Sequence, residues 1–326
     1  MLRLYLDQFA WVGLARAAHG RSSATVAAHE ALEVLRFGVA NGLVSCPLSS
    51  HHYMETLLRR DGGSRHRLGE TMAELSRFDA IAPSTEVVPA ELDAALHARF
   101  EKPSDPKPLR VFGSGVAFAF GEGFPRYRVP ANVSMTKQER LSFEVVANQV
   151  LQMAALKGPP AGVPVPGMTE NNYYRNFGEK YVVAEKRLAD GFIEHAAQAK
   201  VPDWVTASVL ADILDPFNKA LARAKITAAE SQPFESAQGL TDLLMSLPSR
   251  VVVYELRRQR HRNPQTNWEA NDLDDLEAMS VAIPYCDVVV TEKQWCHFAR
   301  PANLGERFGT RIVSALSDLP RELAIV

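Results

Sequence analysis

The chain has 326 residues, 46% of them hydrophobic, which suffices for one large core or two smaller ones. Its formal net charge of −2 excludes nucleic-acid binding through a global basic excess, so any such partner must be met by a local patch. No apolar run reaches the ~18 residues of a membrane span, the N-terminal run is too short for a signal peptide, and no CxxC pair occurs among the cysteines; we therefore expect a cytoplasmic protein without a membrane partner, a disulfide framework or a zinc site.

The start of the chain alternates between strand-like and helix-like segments. Residues 2–6 predict a short buried strand that ends at Asp7, and residues 24–41 repeat apolar side chains at helical spacing. Residues 43–49 predict a second strand, after which Ser49 or Ser50 caps a helix that carries Glu55. This alternation predicts right-handed crossovers and a parallel sheet.

The middle of the chain, residues 62–245, predicts a mostly helical insertion with turn-rich stretches, including an exposed proline-rich loop at 158–167. After it, residues 272–283 predict a helix stopped by Pro284, and residues 287–291 and 307–315 predict two further strands. We therefore expect an α/β fold whose parallel sheet is built from both chain ends. The core would comprise residues 1–61 and 246–326.

Two acids follow the first predicted strands. Asp7 lies at the end of the first strand, on the edge where open α/β sheets bind ligands, although Asp is also a preferred helix cap. Glu55 lies one turn after His51 on the second helix and is placed to face Asp7, unless it is an ordinary exposed helix acid.

Residues 272–277 contain four acids. With Asn271 as the cap and Asp274 at the third position, a capping-box-like start would account for one or two of them. It does not account for four, because like charges one turn apart repel each other. Asp272 and Asp275 share a helix face, and Mg²⁺ or Mn²⁺ bound by such carboxylates would relieve the repulsion.

The order of these acids resembles the PIN-domain nucleases. Residues 275–291, D-L-E-A-M-S-V-A-I-P-Y-C-D-V-V-V-T, are similar to the late helix, fourth strand and threonine of that family. The resemblance covers about residues 1–60 and 265–326, and the insertion lies outside it. It implies a Rossmann-like parallel sheet whose clustered acids bind Mg²⁺ or Mn²⁺ and cleave phosphodiesters, usually in RNA.

Carried over to this chain, the resemblance implies that Asp7, Glu55 and Asp275 are catalytic metal ligands, with Asp272 as an additional acid. One or two cations held there would lower the pKa of a bound water and stabilise charge on the phosphate. Thr291 is expected to contact water or phosphate. The family often has an Asp two residues after this threonine, where the chain has Lys293, so the number of metals stays open.

A basic segment, residues 255–263 (ELRRQRHRN), precedes the acidic helix. Arg257, Arg258 and Arg260 are candidate substrate-binding residues, because a basic patch beside a metal site suits a polyanion. The alternative is a solvated helix face. The polar residues 170–181 are a second candidate for contact with substrate.

These patterns and the resemblance together predict a divalent-metal-dependent nuclease, and the resemblance favours RNA over DNA as its substrate. The alternative is a catalytically silent PIN-like scaffold that binds nucleic acid or protein. The missing acid at residue 293 favours the scaffold, and the clustering of repelling carboxylates disfavours it. The sequence leaves open a homo-oligomer or a regulatory protein partner.

Overall fold

The structure is a computed structural model that describes residues 1–59, 61–121, 127–158, 172–194, 201–263 and 268–323. The described strands are β1 (Leu2–Leu6), β2 (Val44–Ser45), β3 (Asp79–Ile81), β4 (Phe112–Ser114), β5 (Val288–Val290) and β6 (Arg311–Val313). The described α-helices are α1 (Gln8–Ala18), α2 (Val26–Ala40), α3 (Ser50–Leu58), α4 (Gly62–Ser76), α5 (Ser84–Phe100), α6 (Val116–Ala119), α7 (Lys137–Lys157), α8 (Asn172–Glu194), α9 (Val201–Asp212), α10 (Leu214–Ala224), α11 (Ala228–Ser231), α12 (Ala237–Met245), α13 (Pro248–Arg260), α14 (Ala270–Tyr285), α15 (Lys293–Ala299), α16 (Leu304–Phe308) and α17 (Leu319–Leu323).

A parallel sheet with the strand order β2-β1-β5-β6 forms the centre of the molecule. In its register Leu4 lies opposite Val288, and Val290 lies opposite Val313. The first two strands come from the N-terminal segment and the other two from the C-terminal segment. The expected α/β class, with a parallel sheet built from both chain ends, is confirmed.

The sheet is buried on both faces, as parallel sheets usually are. Because side chains alternate along a strand, Leu4 and Leu6 pack on one face with Val288 and Val290. That face also holds apolar residues of α1 and α2. Tyr5 and Val289 point to the other face, which α14 and α15 cover. The sheet therefore holds its strand ends, and the acids that follow them, on a rigid support.

The predicted insertion is largely helical, as expected, but its packing does not separate it from the sheet. Leu68, Met72 and Leu75 of α4 belong to the same core as Leu4. β3 and β4 form a small antiparallel sheet that the sequence did not predict as such, and Ala80 bridges to Leu48. Among the described helices, including α7 and α8, none is long and apolar enough to cross a membrane. Most of the predicted 158–167 loop lies outside the described residues.

The start and end of α14 differ from the prediction. Glu269, not Asn271, caps the helix, and Asp272 rather than Asp274 occupies the third position. The Oδ2 atom of Asp272 accepts a hydrogen bond from the backbone amide of Glu269 at 2.6 Å, which fixes this start. Pro284 does not stop the helix but lies in its last turn, where its missing N–H removes only one helical hydrogen bond.

Candidate active site

Asp7 lies at the carboxyl end of β1 and combines the two roles that the sequence left open. It caps α1, since the backbone amide of Gln8 donates to its Oδ1 at 2.6 Å. Its Oδ2 accepts a hydrogen bond from the Thr291 hydroxyl at 3.2 Å. Burial raises the pKa of Asp7 to about 6; the Gln8 amide opposes this rise, and the charge of Glu292 adds to it.

Glu55 lies near the end of α3 and is half-buried. In the described part of the chain no side chain or amide donates a hydrogen bond to its carboxylate. Burial raises the pKa of Glu55 to about 8, with further contributions from the charges of Asp7 and Asp275. A buried carboxylate without a donor favours the protonated form, or a bound cation in place of the proton.

Asp275 completes the group from the second turn of α14. The indole Nε1 of Trp295 donates to its Oδ2 at 2.8 Å. Burial raises the pKa of Asp275 to about 8, and the charge of Asp7 adds to this rise while the Trp295 hydrogen bond opposes it. Three carboxylates from distant parts of the sequence therefore lie within one another's electrostatic reach.

The donor chemistry of Asp7, Glu55 and Asp275 fits a hard divalent cation. Carboxylate oxygens are the ligands that Mg²⁺ and Mn²⁺ prefer, and Mg²⁺ commonly uses one or two carboxylates with several waters. Within the described residues no three acidic, histidine or cysteine side chains come close enough to hold one ion directly. Water molecules would thus complete the coordination.

Glu292 is a fourth acid of this site, which the sequence analysis did not single out. It lies directly after Thr291 as the exposed cap of α15, and its charge raises the pKa of Asp7, Glu55 and Asp275. The sequence signal that could have identified Glu292 is its position as the second residue after a buried strand. Glu292 lies on the exposed side of the acid group.

Two predicted site residues are buried supports. Thr291 is 1% exposed, and its hydroxyl orients Asp7 instead of meeting solvent. Asp272 is buried in an ion pair with Arg260 at 2.6 Å. Arg260 also lies over the rings of Trp268 and Trp295. Asp272 therefore fixes the start of α14 and the position of the Arg260 side chain. This geometry does not favour its predicted role as a metal ligand.

The predicted basic patch is wrong for Arg257 and Arg260, which are 2% and 3% exposed. Arg257 forms ion pairs with Glu185 and with Asp212. Arg258 is partly buried and pairs with Glu255 on its own helix. The cause is packing: α9 and α14 pack against α13, and acids of α8, α9 and α14 neutralise its charges. For the second candidate, residues 170–181, most side chains lie outside the described residues.

A cleft of about 810 Å³ opens beside the acids. His51 and Asp274 lie at its border, with 3.4 Å between Nδ1 and Oδ1. The charge of Asp274 also raises the pKa of Glu55, which places the cleft next to the acid group. This volume lies within the range of small-molecule and cofactor sites.

The raised pKa values predict an inverse dependence of stability on pH. Unfolded Asp and Glu ionise near pH 4, whereas Glu55 and Asp275 ionise near pH 8 in the folded protein. Between about pH 4 and pH 8 the folded state therefore holds more protons, and the free energy of unfolding falls as pH rises. We expect metal-free Glu55→Gln to melt above wild type by about 2 °C or more at about pH 8.5, and close to it at about pH 4.5. Thermal denaturation in the presence of a chelator measures the melting temperatures at both pH values. A difference between Glu55→Gln and wild type that does not change with pH would contradict the prediction.

The geometry of the site, rather than the fold, identifies its chemistry, because one fold supports many functions. Hard oxygen donors converge at the carboxyl edge of a parallel sheet, where such sheets bind ligands. Buried carboxylates with raised pKa values are typical of functional sites. Comparison with known proteins found no match for this chain: no family model, no curated protein and no solved structure.

Proposed function

We propose that the protein is a divalent-metal-dependent nuclease with a PIN-like sheet that hydrolyses phosphodiester bonds in RNA. The observation that carries the proposal is the convergence of Asp7, Glu55 and Asp275, whose mutual repulsion has no neutralising arginine or lysine among their described contacts. A fold that gained nothing from these charges would have no reason to bury them together.

Asp7, Glu55 and Asp275 would hold Mg²⁺ or Mn²⁺, with Glu292 as a ligand through water. The cation, when bound, supplies Lewis acidity toward phosphate and a water of lowered pKa. The chain itself supplies orientation: Thr291 fixes Asp7, and Trp295 fixes Asp275. His52 supports this edge of the sheet, because its Nε2 donates a hydrogen bond to the carbonyl of Leu6 at 2.7 Å. Burial lowers the pKa of His52 to about 3, so the imidazole is neutral.

The silent scaffold remains the second candidate because of one observation. Lys293 occupies the place where the PIN-domain nucleases often have an acid. Such a protein would bind a nucleic acid without cutting it. The two functions therefore differ in one measurable property, turnover.

The proposal is tested by cleavage of end-labelled single-stranded RNA, structured RNA and DNA with Mn²⁺, with Mg²⁺ and with a chelator. We expect cleavage of RNA that needs the cation and that Asp7→Asn abolishes. A millimolar cation should also raise the melting temperature of wild type, since ligands that bind only the native state stabilise it. Equal activity of wild type and Asp7→Asn would reveal a contaminating nuclease, and binding without turnover would establish the scaffold.

A further inference from the structure

A small basic pocket of about 200 Å³ lies between α1, the connection from α1 to α2, and the start of α4. Four arginines and one aspartate line it, which gives four positive charges against one negative charge, a net of +3. These residues are Arg16, Arg21, Arg59, Arg67 and Asp61. The cleft beside the acids, although about four times larger, is lined by only three lysines and arginines among the described residues.

The pocket's charges are poorly neutralised by the protein. Within the described residues Arg16, Arg21 and Arg59 form no ion pair, and Arg67 meets only Asp61, at 3.9 Å. Asp61 is itself engaged as the cap of α4, where it accepts the backbone amides of Gly63 and Ser64. By contrast, Arg257 and Arg260 are both buried and paired with acids. Repelling guanidinium groups held around one cavity favour an anion in it.

Two helices, α1 and α3, connect the acids to the pocket. Gln8 Nε2 donates to the hydroxyl of Thr56 at 3.1 Å, which joins the start of α1 to the end of α3 next to Asp7 and Glu55. Arg59 follows Glu55 by four residues, about 6 Å along a helix. Val12, one turn after Gln8, forms part of the pocket wall. The basic pocket therefore begins about one helical turn from the acid group.

We propose that this pocket binds a phosphate of the nucleic-acid strand, close to the bond that the acids address. Arginine forks match phosphate oxygens in pairs, and the cavity is smaller than the ~300 Å³ of the smallest typical ligand pockets, so it suits a phosphate better than a nucleoside. This inference rests on the proposed function for the identity of the strand.

The test measures equilibrium binding of fluorescent single-stranded RNA in a chelator, where no metal-dependent cleavage occurs. We expect the double variant Arg16→Gln/Arg59→Gln to bind at least about tenfold more weakly than wild type. The slope of log affinity against log salt should become shallower by about 0.7, since one phosphate contact is lost from a single strand. The matched control is Arg36→Gln/Arg321→Gln, which removes the same charge from two exposed arginines held in surface ion pairs.

The outcomes separate this inference from the nuclease proposal. Equal loss of affinity in both double variants, or no RNA binding by wild type, would overturn the pocket. Loss confined to the pocket variant, in a protein that never cleaves, would support the pocket and remove the nuclease. If wild type cleaves RNA and the pocket variant binds and cleaves RNA as well as wild type does, the nuclease would be supported and the pocket overturned. Thermal melts of all variants confirm that each is folded.

Discussion

Replacement of Asp275 by Asn is expected to reduce cation-dependent RNA cleavage at least about 100-fold, because outer-shell partners alone are worth 10–100-fold and this carboxylate lies in the inner group. The amide keeps the hydrogen bond from Trp295, so the geometry of the site survives. The neutral amide replaces a carboxyl group whose pKa is raised by burial. The variant should therefore be as stable as wild type, or more stable at pH 8. Initial rates under saturating Mn²⁺, with circular dichroism melts, measure the two effects separately.

The control for this variant is Asp287→Asn, directly before β5 and so at the opposite end of that strand from Thr291. The Oδ2 atom of Asp287 accepts the backbone amide of Arg3 at 2.7 Å, a hydrogen bond that an amide oxygen also accepts. We expect its cleavage rate to stay within about twofold of wild type, as for a change that costs less than about 0.5 kcal/mol. If both variants lost activity equally, the effect would be one of folding and the assignment of Asp275 would be wrong.

Replacement of Arg257 by Met is expected to destabilise the protein by about 3–5 kcal/mol, because it leaves buried acids without their partner. Glu185 is 1% exposed, and Arg257 contacts it together with Asp212 and the hydroxyl of Ser208. His261 retains a contact with Glu185 at 2.7 Å, which keeps the loss from being larger. Chemical denaturation measures the free energy of unfolding directly.

Arg262→Met provides the comparison for Arg257, since Arg262 is exposed near the end of the same basic segment and forms no ion pair in the described part of the chain. We expect it to change the free energy of unfolding by less than about 0.5 kcal/mol. If Arg257→Met were equally harmless but weakened RNA binding, Arg257 would be a substrate-binding residue after all.

The strands of the parallel sheet and the three central acids were predictable because their signals are local. An apolar run that ends at an acid marks a strand and its carboxyl end together, as at Asp7. The order of strands and helices then brought Glu55 and Asp275 to the same edge, since parallel strands place their ends together. The structure places all three within mutual electrostatic reach.

The arginines were misassigned because their partners are remote. Arg257 is neutralised by acids 72 and 45 residues earlier, on helices whose contacts with α13 leave no mark in the basic segment itself. Asp272 was misassigned through a shift of two residues in the start of α14, since several neighbouring polar residues can serve as caps. Arg16 and Arg59 escaped notice because they lie 43 residues apart in the sequence, and only the fold assembles their pocket.

The position of β1 between β2 and β5 has a consequence for the timing of activity. Asp7 and Asp275 are separated by 268 residues of chain (275 − 7), which a ribosome adds in roughly 13–54 s at 5–20 residues per second. Until β5 has been made, one edge of β1 has no partner strand and the acids cannot meet. A nascent chain of the proposed nuclease therefore cannot cleave RNA until most of its own synthesis is complete.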